Sequence, residues 1–405
     1  MQKRIEIFAA ILLLALFGIW FVLLAANPHG IQRHVFFSGA DDLFGDFLNL
    51  LRYISDRDPY FNTINGLGEK AYLPIVYLLL YPFSQMDIFG TMSLVEAQAS
   101  HLALVSVMLW TIGSSLLLFV GLQKLANRYT CSKLLLAPLF CSSVFLFAVE
   151  RGNTIIISSA CICFFLMYHD SEDKNKRYFA CACLALAGGL KVYPVVFGLL
   201  LLRRKDYKSI VLAAVFSLII VALPFLFFKH GFGNIPQLLK NLKINAVSYN
   251  VCASYPRFGL PSMTCFVMRF FHYYDYTVIF WAKLIAYALA AASCVLSLVV
   301  KDKFLAVSLV ALMLVNFPEN SALYTGLYLL PVVLYFMSTL THRSLVANLV
   351  IGISFVVMLM PLQIPFLGHS LNQYIAQISI FCLWIAILFL SVSAYFVRNS
   401  ANANR

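Results

Sequence analysis

The chain has 405 residues, 62% hydrophobic and only 11% charged, with a mean hydropathy of +0.86. A soluble domain carries about a quarter charged residues, so a soluble enzyme is excluded. The apolar residues fall into long blocks without alternating or heptad patterns, which points to an all-α polytopic membrane protein. An excess of 29 Lys+Arg over 17 Asp+Glu could suggest a nucleic-acid partner. These residues sit in short hydrophilic gaps, and no basic run is interleaved with aromatics, so they read as a topology signal and no nucleic acid is expected.

Lys3 and Arg4 precede the apolar stretch 7–26, about 20 residues or roughly 30 Å of helix, enough to cross the hydrocarbon core. A cleaved signal peptide is the alternative, but the stretch is long for one and no small-residue cleavage site follows Ala26. Further blocks run at about 101–122, 134–149, 154–168, 178–192, 194–202, 209–228, 278–300, 304–317, 322–340, 345–363 and 375–397, for about twelve transmembrane helices in all. The segment 72–83 is apolar but covers only about 18 Å, so it is expected as an interfacial or half-inserted helix. With that segment left out, 17 of the 29 basic residues fall inside and 11 of the 17 acidic residues outside, as the positive-inside rule requires. Both termini are then cytoplasmic. Residues 1–405 read as a single membrane domain with two long outer loops, 27–100 carrying interfacial helices and 229–277, and loops of that length are usually functional.

The first outer loop concentrates Asp41, Asp42, Asp46, Asp56 and Asp58. If 41–55 is helical, Phe47, Leu50, Leu51 and Ile54 share an apolar face, with Asp42, Asp46, Asn49, Arg52 and Asp56 on or near the opposite one. Such a helix is expected to lie flat on the outer leaflet with its carboxylates toward an aqueous mouth. A lone carboxylate at the edge of a low-dielectric cavity has a raised pKa and can take a proton from an alcohol, as a sugar-transfer base must. The bland alternative is that these acids simply solvate the loop. A turn at 57-RDPY-60 follows, then 72-YLPIVYLLLYPF-83, with Tyr72, Tyr77 and Tyr81 expected at aromatic-belt depth.

The order of one span, an Asp-bearing juxtamembrane helix, a D-P-Y turn and a Y-x-P half-helix resembles the GT-C superfamily of membrane glycosyltransferases that use polyprenyl-phosphate sugars. Within it the chain is most similar to glycosyltransferase family 87, which includes polyprenyl-phosphate-mannose-dependent mannosyltransferases of bacteria. The matching pieces are 46-DFLNLLRY-53, 58-DPY-60, 72-YLP-74, 152-GN-153 and 190-LKVYP-194 followed by 203-RRKDYK-208, together covering roughly the first 210 residues. Gly152-Asn153 stands where family members often have Gly-Gln, and Tyr193 intervenes between Lys191 and Pro194. The later half matches only loosely, which leaves the acceptor site unread.

By this resemblance Asp46 is the catalytic base, with Asp42 second. One carboxylate deprotonates the acceptor hydroxyl, which attacks the anomeric carbon in line as polyprenyl phosphate leaves, with inversion. The leaving phosphate calls for fixed cations. Lys191 and Arg151, at outward ends of spans, are the first candidates, against snorkelling to headgroups as the alternative. Arg257 and Arg269 in the second outer loop are further candidates. Arg52, Tyr72, Asn153, Glu319, Asn320 and Tyr324 are candidate substrate-binding residues, although a helix cap explains 319–320 equally well. Tyr255, His272, Tyr273 and Tyr274 read as loop and interface anchors. The Asp41-Asp42 pair is a weak metal signal, so no cofactor is expected and a divalent cation is left open. Among ten cysteines, Cys252 and Cys265 fall in the second outer loop, where an oxidising compartment would let them pair; two thiols buried in a Tyr-rich interface is the alternative.

The implied partners are a polyprenyl-phosphate sugar donor, a glycan or glycolipid acceptor and membrane lipid, in a bacterial inner membrane with a periplasmic active site. An O-antigen polymerase or ligase is the nearest alternative enzyme, but its outer loops are expected to be led by arginines. A lipid-linked sugar flippase or transporter would place paired ionisable residues at mid-membrane and show an inverted repeat, and neither feature is present in the sequence.

Overall fold

Apolar stretches with little periodicity form helices here, some facing lipid and some enclosed by other helices. The computed structural model describes residues 2–35, 42–248, 252, 257–318, 321–366 and 369–403. In chain order the first helices are α1 (Gln2–Ala26), α2 (Gly45–Ile54), α3 (Pro74–Ser84), α4 (Leu94–Ala99), α5 (His101–Arg128) and α6 (Leu136–Phe140). Then come α7 (Ser143–Arg151), α8 (Ile155–Tyr168), α9 (Lys174–Leu190), α10 (Leu199–Arg203), α11 (Tyr207–Ala222) and α12 (Asn234–Ser248). The remainder are α13 (Leu260–Phe270), α14 (Tyr276–Val299), α15 (Lys303–Asn316), α16 (Leu330–Ser338), α17 (Leu345–Leu359) and α18 (Leu371–Ala403). A two-residue antiparallel pair, Pro365–Phe366 with His369–Ser370, precedes α18.

Each block expected to span is helical, but length sorts them into two groups. α1, α5, α11 with its 3₁₀ extension to Phe227, α14 and α18 are long and apolar enough to cross a membrane. α6, with the turn before it, and α7 add a sixth only as a pair bent by 51°. α8, α15, α17 and the helical runs Tyr193–Arg203 and Leu323–Ser338 are apolar but shorter. The figure of about twelve crossings therefore reduces to five or six clear spans plus short apolar helices. Burial explains the short ones: every α15 residue from Phe304 to Asn316 is buried, and so is nearly all of α8. α1, by contrast, buries only Glu6, Ala10, Leu13 and Trp20 and leaves the rest of its apolar surface outward, as a lipid-facing helix does.

Two elements before α5 differ from expectation. α2 does not lay its apolar face on lipid: Phe47, Leu50, Leu51 and Ile54 are at most 2% exposed. They belong to one cluster with Val76, Tyr77 and Leu80 of α3 and Trp110 of α5. A helix with one apolar stripe buries it against whatever is adjacent, and here that is protein. Of the three tyrosines expected at aromatic-belt depth, two turn inward. Tyr77 is fully buried, edge-on to Tyr60 with ring centres 5.4 Å apart, while Tyr72 lines a cavity described below. Tyr60, from the D-P-Y turn, donates its hydroxyl to the Tyr72 carbonyl at 2.9 Å and so fixes the approach to α3. Cys252 and Cys265 are joined in a disulfide, which fastens the second long loop to α13.

Candidate active site

The site is built where the end of α7 meets the start of α2. α7 closes with Gly152 at φ 61°, and the Asn153 N–H reaches back to the Ala148 carbonyl at 3.0 Å, an αL helix end of the kind glycine favours. The turn passes so close to α2 that a β-carbon on Gly152 would stand 2.7 Å from the Phe47 β-carbon. The Phe44 N–H donates to the Glu150 carbonyl at 2.8 Å and stitches the two chains together. This contact delivers Arg151 and Asn153 to either side of Asp46, in the first turn of α2.

Both oxygens of Asp46 are engaged. Arg151 Nη2 donates to Oδ1 at 2.6 Å, and Asn153 Nδ2 donates to Oδ2 at 2.5 Å. Arg151 Nη1 also pairs with the Asp42 carboxylate, so one guanidinium bridges the two acids. Asn153, 1% exposed, accepts the Ile155 N–H at 2.9 Å through its other side-chain atom and so ties Asp46 to the start of α8. Burial pushes the Asp46 carboxyl pKa up, but Arg151, Lys191 and the two hydrogen bonds outweigh that, and the net value lies below the ordinary aspartate value. The expected upward shift is thus reversed, because the carboxylate is not alone.

Asp42 and Asp46 open onto a cavity of about 530 Å³. Its walls come from α2, the segment 69–73, the ends of α7 and α9, Asn245 of α12, and Ala322 and Tyr324. Lys191, one residue beyond α9, enters from the α9 side. Its ammonium donates to the Tyr72 hydroxyl at 3.2 Å, lies 4.6 Å from the Tyr72 ring centre and 5.7 Å from that of Tyr324. Among the described residues no carboxylate lies within the 4.0 Å of an ion pair to it. The cavity therefore holds an ionised, oriented carboxylate and a separate lysine with donor capacity to spare.

The sequence candidates divide accordingly. Asp42, Asp46, Tyr72, Arg151, Lys191 and Tyr324 line the cavity, and Asn153 stands directly behind Asp46. Arg52 does not face it: its guanidinium donates to the Met92 carbonyl at 2.9 Å and to Asn49 Oδ1 at 2.7 Å, bracing α2. Arg257 is 2% exposed and does not line the cavity. Arg269 donates to the Cys252 carbonyl at 2.9 Å, also away from it. Glu319 and Asn320 lie outside the described residues, as do Asp41 and Tyr255.

Other lining residues are not among the candidate site residues, although the helical reading of 41–55 sets Asn49 on the same face as Asp46. Asn49 and Tyr53 follow Asp46 by three and seven positions, so helical spacing alone aligns them with it. Glu69 comes from a 3₁₀ turn, Leu67–Glu69, that has no periodic signature. Asn245 of α12 also reaches the cavity, and its side chain donates to the Gly68 carbonyl at 2.9 Å, bringing the second long loop to the first.

Comparison with known protein families decides the class: the profile of glycosyltransferase family 87 matches residues 71–318, well over half of the chain. The chain belongs to glycosyltransferase family 87. Membership makes it a glycosyltransferase with sugar donor and acceptor substrates, and the sequence resemblance to this family holds. The matched segment contains Tyr72, Arg151, Asn153 and Lys191, whereas Asp42 and Asp46 precede it. A search of curated proteins finds no match to the chain.

Proposed function

We propose that this family 87 member is an inverting glycosyltransferase that moves a sugar from a polyprenyl-phosphate donor to a glycan or glycolipid of the cell envelope. The observation that carries the reading is one cavity in which Asp46, oriented by Arg151 and Asn153, is joined by Lys191, which has no ion-pair partner among the described residues. Asp46 is ionised at neutral pH and receives the acceptor hydroxyl proton as that oxygen bonds to the anomeric carbon. The anomeric carbon–phosphate oxygen bond breaks in the same step, and the electron pair leaves with polyprenyl phosphate. Lys191 stabilises the charge gathering on that phosphate. A phosphate leaving group makes a second carboxylate nucleophile unnecessary. Arg151 and Asn153 act as positioning residues, and Tyr72 and Tyr324 flank the lysine against the sugar.

In this reading the chain crosses a bacterial inner membrane about twelve times, with the short apolar helices among the crossings. Both termini are cytoplasmic and the Asp46 cavity opens to the periplasm, the placement that best satisfies the charge asymmetry of the loops. The test is purified protein in detergent, supplied with polyprenyl-phosphate hexoses and envelope lipid extracts, beside Asp46→Asn and Asp42→Asn. Sugar transfer lost in Asp46→Asn with folding intact is expected. Transfer retained by both variants, or transport of the lipid-linked sugar without transfer, overturns the proposal.

A further inference from the structure

A second cavity, of about 240 Å³, lies at the other end of the bundle. α8 begins beside Asp46 and ends at its rim, and α9 returns from that end to Lys191. Helices of 14 and 17 residues span roughly 21 and 26 Å, so the two cavities are separate. Four cations converge on the second one from three elements: Arg128 at the end of α5, Arg203 and Arg204 at the end of α10, and Lys303 at the start of α15. Asp170, just after α8, is the only carboxylate in its lining. Tyr129 and Tyr335 stack against each other in its wall, ring centres 4.4 Å apart and planes 8° from parallel.

The partners of these cations show what remains unsatisfied. Asp170 accepts from Arg128 Nη2 at 2.7 and 2.8 Å through its two oxygens and more weakly from Lys303 Nζ at 3.4 Å. Arg203 donates only to the Val300 and Lys301 carbonyls, through Nε and Nη2. Arg204 donates through Nη1 to the His169 carbonyl at 2.9 Å. Among the described residues, Arg203 Nη1 and Arg204 Nε and Nη2 have no acceptor. Carbonyls orient a guanidinium without cancelling its charge, so one carboxylate stands against four fixed cations. Asp302, nearby, is held by the Phe304 and Leu305 N–H groups as the cap of α15. Basic residues that serve topology alone would be spread over loop surfaces; here they surround a hollow, with donors arranged in the fork geometry that fits phosphate oxygens.

We propose that this cavity is an anion site for a phosphate ester, with Arg203, Arg204 and Lys303 as its ligands and the Tyr129–Tyr335 stack as its wall. The chemistry is shared by the headgroup of an anionic lipid in the adjacent leaflet and by a soluble phosphate. The site is independent of the sugar-transfer reading, since none of its residues contributes to the Asp46 cavity.

The experiment uses the full chain in two arms. Native mass spectrometry measures retention of phosphatidylglycerol against phosphatidylcholine, whose own choline offsets its phosphate charge; thermal unfolding measures the shift given by inorganic phosphate against chloride at matched ionic strength. Each is repeated with Arg204→Gln/Lys303→Gln and with Lys205→Gln/Lys208→Gln, a control that removes the same charge outside the cavity. The expected result is preference for phosphatidylglycerol, stabilisation by phosphate, or both, reduced several-fold in the first double variant and kept in the second. Phosphatidylglycerol preference alone identifies a lipid ligand, and a phosphate shift identifies a soluble one. The control also keeps any phosphate bound near Lys191 apart from this site. Absence of both effects in the wild-type protein, or equal loss in the two double variants, overturns the proposal.

Discussion

Gly152→Ala tests whether the close approach of α7 to α2 sets the position of the carboxylate. Two penalties act on the substitution. The φ of 61° is left-handed, where a β-carbon costs about 1–2 kcal/mol. That carbon would also stand 2.7 Å from the Phe47 β-carbon, whereas carbon atoms pack at about 3.5–4.0 Å. The contact is with a β-carbon, which every residue but glycine carries, so rotating the Phe47 ring cannot relieve it and the backbones must part by about 1 Å. Overpacking of this kind costs about 1–3 kcal/mol, for a total of about 2–5 kcal/mol of stability. Asp46 precedes Phe47, and its bonds of 2.6 and 2.5 Å run to the residues on either side of Gly152. A displacement of about 1 Å would break that geometry and slow transfer by about 10²-fold. Thermal unfolding and sugar-transfer rates of the purified variant read the two effects separately. Gly152→Asn divides the causes, since asparagine tolerates the left-handed region but keeps the β-carbon: it should regain stability and not activity. Wild-type unfolding and wild-type transfer in Gly152→Ala would refute the reasoning.

Asp46→Asn should lower the transfer rate by about 10²–10⁴-fold, the usual contribution of a general base, and Asp42→Asn by less, both measured at saturating donor. Because the folded Asp46 pKa is depressed, its ion pair contributes stability that is fully present above the ordinary aspartate value and lost as pH falls through the lower folded value; a pH-stability curve of Asp46→Asn should be flatter on that acid side, and an unchanged curve would contradict the pairing. Lys191→Gln should lower kcat at saturating donor more than it raises the donor KM, as befits a cation that acts on charge developing in the transition state. Lys191→Arg, which keeps the positive charge, should lose less activity than Lys191→Gln. Arg52→Met should destabilise the protein by about 1.5–3 kcal/mol through the lost charged hydrogen bonds and leave donor KM unchanged, which a denaturation curve and a substrate titration check together.

Much of the site was legible because its residues sit at positions that sequence marks. Asp46 follows a glycine at the head of an amphipathic run, Gly152-Asn153 punctuates an apolar block, and Lys191 is a charge at the end of another. What failed were inferences that depend on a partner from elsewhere in the chain. The stripe of α2 shows that one face is buried, but hydrophobicity is blind to whether the covering surface is lipid or α3. Arg52 is angularly close to Asn49 and Asp56 and still bends away, because the Met92 carbonyl offers an acceptor 40 positions later. The sign of the Asp46 shift was misjudged for the same reason: burial was foreseen, whereas the cation that overrides it stands 105 residues downstream. The span count stays coarse for a related reason, since a fully enclosed helix such as α15 and a lipid-facing one such as α14 are both continuous apolar runs.

The bridge made by Arg151 gives Asp42 a role that its own chemistry does not require. In the proposed reaction Asp46 takes the acceptor proton and stops being a counter-ion, and a guanidinium only 11% exposed would be left facing a neutral acid. Stranding one member of a buried ion pair costs about 3–5 kcal/mol, a penalty that would fall on the transition state if Arg151 had a single partner. With Asp42 on its other nitrogen the cation stays neutralised throughout the transfer, and the charge change in the cavity is confined to Asp46, the acceptor oxygen and the departing phosphate. Asp42 then lowers the barrier without touching the proton, which is why its amide variant should lose less activity than the Asp46 variant and yet more than an exposed loop aspartate such as Asp56.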